Sequence, residues 1–122
     1  MQGTESLGEQ DEVKRKVEEL WGRVFKNSQE VLRQHVHFGF DGVKNGNPSI
    51  DDRLSKLQAI ETIFDILLNK SLIGELEYEQ QRQILNAKQQ ITNMEMIAAA
   101  VKANKEEDYL AAVAVLEKQL PI

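Results

Sequence analysis

The stretch LSKLQAIETIFDILL, from Leu54 to Leu68, constrains this chain more than any other. On a helix turning about 100° per residue, Leu54, Leu57, Ile60, Ile63, Phe64, Ile66, Leu67 and Leu68 sweep roughly two thirds of the circumference. Ser55, Gln58, Glu61, Thr62 and Asp65 share the remaining wedge. A helix so apolar has to be covered on several sides, so it is expected to be the most buried one, with the rest of the chain supplying its neighbours.

Those neighbours read as helices too. Two prolines and seven glycines in 122 residues leave long stretches free of breakers, and Ala, Leu, Glu, Gln and Lys dominate the second half. The length suits a single domain: a flexible tail over 1–10, then one helical domain over 11–122. The fold class expected is all-α, an up-down bundle of helices over 11–38, 48–70, 75–103 and 106–119, with a fifth helix if Thr92-Asn93 breaks the third.

From about Asp11 the apolar positions Val13, Val17, Leu20, Val24, Val31 and Phe38 follow helical spacing, with Trp21, Phe25, Ser28 and Leu32 beside them. The segment Gly39 to Pro48 holds D-G, N-G and N-P pairs, and it ends the first helix. Asn47-Pro48-Ser49 is expected to start the second helix, and Leu72 and Ile73 to close onto the core after it. In the third helix Leu76, Gln80, Ile84, Ala87, Ile91, Met94, Ala98 and Val101 form one unbroken stripe. Asn104 with Glu107 reads as a capping box for the last helix, whose face is Tyr109, Leu110, Val113, Leu116 and Leu120. Alanines in the last two helices should let their axes approach closely.

Composition narrows the chemistry. The chain has no cysteine, which removes thiol nucleophiles, disulfides and Cys-based metal sites and fits a cytoplasmic protein. Its net charge is −5, with 20 acids and 15 bases intermixed, so no basic stripe invites nucleic acid. No run of 18 apolar residues suggests a membrane partner, and the N-terminus resembles neither a signal peptide nor a myristoylation site.

Two places invite a metal or ligand. His35 and His37 point in different directions on a helix, so His35, among the apolar positions, is expected to be a half-buried histidine with a hydrogen-bond partner. Asp41 to Asp52 partly matches a twelve-residue calcium loop through Asp41, Asn45 and Asp52. Val43 at its third position, Pro48 at its eighth and the short Asp52 at its twelfth depart from the pattern. No phosphate loop, nucleophile elbow or di-metal carboxylate set is present, so no cofactor and no enzymatic activity are expected.

One feature remains. Tyr78, Leu85 and Met96 form a second apolar line on the third helix, opposite its main stripe. Either the helix is sandwiched and this line is internal, or the line is a seam for a protein partner, most simply a second copy in a homodimer. The function these features fit is a non-enzymatic helical protein-protein interaction module. The alternative is a ligand- or ion-binding bundle using the 41–52 segment or a pocket near His35.

Overall fold

Helix α1 (Gln2–Asn45) is helical on both sides of one break, at Gly39. The computed structural model describes the backbone of residues 2–46, 50–69 and 78–120, with side chains from Glu12 onward in those ranges. The expected start of the second helix at Asn47, Pro48 and Ser49, the closing contact of Leu72 and Ile73, and residues 75–77 lie outside them. Helix α2 spans Ile50–Asn69, α3 Tyr78–Lys102 and α4 Glu106–Gln119. The fold is therefore all-α, four helices packed together, and the described residues contain no strand. Thr92-Asn93 does not interrupt α3.

The break at Gly39 has a local cause. Its φ of 70° with ψ of −157° is a backbone conformation open to glycine and costly for any residue with a Cβ. Helix then resumes through residues 40–45, so the first helix does not end at Gly39 as the D-G, N-G and N-P pairs together suggested. The chain also folds tightly back there, because a Cβ on Gly42 would collide with the Phe38 side chain. Core contact passes across the break to Val43, which is 1% exposed, and to Phe40, which packs on Tyr109 with ring centroids 4.9 Å apart. Phe38, expected on the apolar face, is instead 70% exposed. It stands immediately before the Gly39 break, and its ring lies beside that of exposed His37, 6.1 Å between centroids, instead of in the core.

Pairs between helices show how they run. Numbers rise together between α1 and α3, Trp21 meeting Asn86 and Ser28 meeting Gln90. They run oppositely between α2 and α3, Asp65 meeting Lys88 and Asp51 meeting Lys102. Between α3 and α4 they are opposite again, Asn86 reaching the carbonyl of Gln119 and Asn93 that of Ala112.

The most covered helix is α3, not α2. It packs against all three others, and its stripe from Gln80 through Ile84, Ala87, Ile91, Met94 and Ala98 to Val101 is buried throughout. Helix α2 buries one stripe, Ile50, Leu54, Leu57, Ile60 and Phe64, while Ile63, Leu67 and Leu68 are half-buried and Ile66 is 48% exposed. The apolar sweep of α2 overstates its burial because its main packing is against α1 and α3 alone. Each fully buried Leu, Ile or Phe in this shared core contributes about 1.5–3 kcal/mol.

A tight turn joins α3 to α4. Asn104 adopts a φ of 55°, and the amides of Asn104 and Lys105 donate to the carbonyls of Val101 and Ala100 at 3.1 and 2.9 Å. This is a Schellman closure of α3 with Asn in the left-handed position. Asn104 is thereby unavailable as the cap expected for α4, because an N-cap needs extended backbone. Lys105 takes that place, with no side-chain cap bond.

Candidate functional site

The side of α3 turned away from the core carries the sequence-derived partner residues. Tyr78 is 75% exposed, and Leu85 and Met96 are 57% exposed, so no described helix sandwiches this side. Helix α4 adds Val115, 47% exposed, while Leu110, 46% exposed, lines neither hollow between the two helices. Leu110 was expected in the core, but Ala112 occupies the inward position instead.

Between the two helices runs a shallow groove. Near the α3–α4 turn it has a volume of about 460 Å³ and is lined mainly by Met96, Ala99, Ala103, Ala111 and Val115, with Lys105 and Asp108 at its edge. A second hollow of about 390 Å³ continues it along α3 past Thr92 to Leu85, sharing Met96 and Val115. Sequence reasoning took the alanines as a means of close helix approach. Ala98, Ala100 and Ala112 are buried in that way, while Ala99, Ala103 and Ala111 are exposed and floor the groove.

The back of α3 is held by polar groups buried among apolar ones. The Ser28 hydroxyl donates to Gln90 Oε1 at 2.6 Å, Gln90 Nε2 donates to Asn86 Oδ1, and the Trp21 indole N–H reaches the same oxygen at 3.4 Å. Asn86 Nδ2 then donates to the Gln119 carbonyl at 3.1 Å. This chain ties α1, α3 and α4 into one axial register, since sliding any helix leaves a buried polar group unpaired. The exposed face is thus mounted on a fixed scaffold.

Along the α2 border of that face, Asp65 pairs with Lys88, and Glu61 lies close to Glu95 and Asp65. Partial burial, and then repulsion from Glu95 and Asp65, raise the Glu61 carboxyl above its ordinary range. The border is acidic, with Lys88 as the cation set against it.

His35 is half-buried, and its Nδ1 lies 2.6 Å from the Tyr109 hydroxyl, as the sequence led us to expect. The rings meet edge to face at 5.3 Å. Burial, with a smaller contribution from Glu106, pushes the Tyr109 hydroxyl up to about 12. The pair sits under the Gly39 break and joins α1 to α4. His37 is exposed beside Phe38 and does not meet His35.

Asp41, Asn45 and Asp52 are all exposed. Asp41 and Asn45 belong to the helical backbone of α1 and Asp52 to the first turn of α2, whereas a calcium loop coils its first five ligating positions around the ion. Among the described residues no three His, Asp or Glu side chains gather as a metal would need. No described helix is long and apolar enough to cross a membrane.

Compared with known proteins, the chain matches no family model, no curated protein and no solved structure.

Proposed function

We propose that this protein is a non-enzymatic, cytoplasmic interaction module: an up-down four-helix bundle that docks a protein partner on the exposed side of α3 and the adjoining side of α4. The alternation of helix directions in the side-chain pairs supports the bundle topology. The observation that carries the docking reading is the exposure of Leu85, Met96 and Val115 along one groove, with Tyr78 exposed further along the same side of α3. Large apolar side chains gathered along one exposed groove are what association sites offer a partner. Net charge of −5 favours a protein over a nucleic acid as that partner.

Photo-crosslinking in native cells tests the reading. The full chain carries a benzoylphenylalanine at Leu85, at Met96 or, as a control, at exposed Gln29 of α1. Protein adducts from the first two positions and none from the third support docking at this face. No adduct from Leu85 or Met96, or equal adducts from Gln29, contradicts it.

A further inference from the structure

The exposed side of α3 is more regular than its three large apolar residues suggest. Tyr78, Arg82, Leu85, Gln89, Thr92, Met96, Ala99 and Ala103 are spaced alternately by four and three, and every one of them is exposed. That is the seam spacing of a coiled coil, carried on a helix whose opposite stripe is already used for the core.

We infer that this seam binds a second copy of the chain, α3 against α3 in antiparallel order about a two-fold axis passing near the Gln90–Ile91 peptide. The inference rests on the reading of this side as a docking face and names its occupant. In antiparallel order each layer sets one residue of the series against its mirror position. Leu85 meets Met96 of the other copy, Gln89 meets Thr92, Arg82 meets Ala99, and Tyr78 meets Ala103.

Size and charge both fit that order. The largest residue, Tyr78, falls opposite the end of the groove where Ala99, Ala103 and Ala111 leave room, with Lys105 and Asp108 at hand for its hydroxyl. Two apolar Leu85–Met96 layers flank a polar centre of Gln89 and Thr92, and polar seam residues fix register at a cost in strength. Along the α2 border the flanking positions bring Lys88 of one copy to Glu95 of the other, twice by symmetry. Glu95 belongs to the acidic group with Glu61 and Asp65 and has no salt-bridge partner among the described residues, so Lys88 of the other copy meets excess negative charge. A parallel pairing would instead stack Tyr78 on Tyr78 and Arg82 on Arg82, and would leave the alanine end of the groove facing alanines.

Disulfide trapping tests order and occupant together. The chain has no cysteine, so Arg82→Cys and Ala99→Cys, both at exposed positions, introduce the only thiols. Oxidation of an equal mixture of the two variants yields the mixed 82–99 disulfide alone if the pairing is antiparallel as stated. Within that dimer the two copies of residue 82 lie about 25 Å apart along the axis, beyond the reach of a disulfide. Self-linked 82–82 and 99–99 species would overturn the antiparallel order. A mixture that stays unlinked, with a parent chain that sediments as a monomer, would overturn the second copy as occupant. In that last case, adducts to another protein from the Leu85 photoprobe leave the docking reading standing, while their absence removes it too.

Discussion

Ser28 and Gln90 are both fully buried, and the serine hydroxyl donates to the glutamine carbonyl at 2.6 Å across the α1–α3 interface. Ser28→Ala leaves that carbonyl unpaired and is expected to cost about 1–3 kcal/mol, whereas a hydrogen bond lost with both partners made apolar costs far less. The double variant Ser28→Ala with Gln90→Leu should therefore be more stable than the sum of the single variants implies. Urea unfolding of all four proteins of the cycle measures this. Additive losses would mean that the pair does not set the register of α1 on α3.

Gly39 offers a test of the break in α1. Gly39→Ala meets no steric obstacle, since nothing lies within 4 Å of the new Cβ, yet it forces alanine into a glycine-only conformation at a cost of about 1–3 kcal/mol. Gly22→Ala also meets nothing, and because Gly22 lies in regular helix the change is expected to stabilise by about 0.4–1 kcal/mol. Melting curves should move in opposite directions. A gain in stability from both would show that the helix runs straight through position 39.

The Tyr109 hydroxyl keeps its proton in the fold up to about pH 12, two units above its ordinary value of 10.0. Between these two values the folded chain holds a proton that the unfolded chain has lost, so stability falls as pH rises from about 10 to about 12 and is unaffected by this group below that window. Tyr109→Phe should flatten the fall, at a cost of about 0.5–1.5 kcal/mol at neutral pH for the lost bond to His35. Ultraviolet titration of tyrosinate alongside unfolding at several pH values checks both. An ordinary midpoint near 10 for Tyr109 would mean that its ring is not closed in beneath α1.

Much of this was legible in the residues, and the failures share a cause. The unbroken spacing from Gln80 to Val101 identified the buried face of α3, and α4 spans Glu106–Gln119 as expected although Lys105, not Asn104, stands at its N-cap. What misled was equating apolarity with burial. Ile66 and Phe38 are apolar and stay outside the core, whereas Gln80, Gln90 and Asn93 are polar and buried. Gln90 and Asn93 find hydrogen-bond partners there. That is how α3, with more polar residues than α2, came to occupy the centre. At the candidate site Tyr78, Leu85 and Met96 stood out as large apolar residues. Arg82, Gln89 and Thr92, which complete the seam spacing, looked like ordinary surface, and only their exposure on one line revealed the pattern.

The exposed line on α3 is the centre of the account, and sedimentation equilibrium of the parent and of Leu85→Glu tests it most directly. Leu85 is 57% exposed, so the glutamate should leave the chain folded while placing an unpaired charge in the seam. The account predicts a parent of twice 13.9 kDa and a folded variant of 13.9 kDa. A parent that remains at 13.9 kDa up to about 1 mM, the range of the weakest specific associations, would contradict self-association through this face. A Leu85→Glu chain that unfolds would contradict the exposure of Leu85 itself.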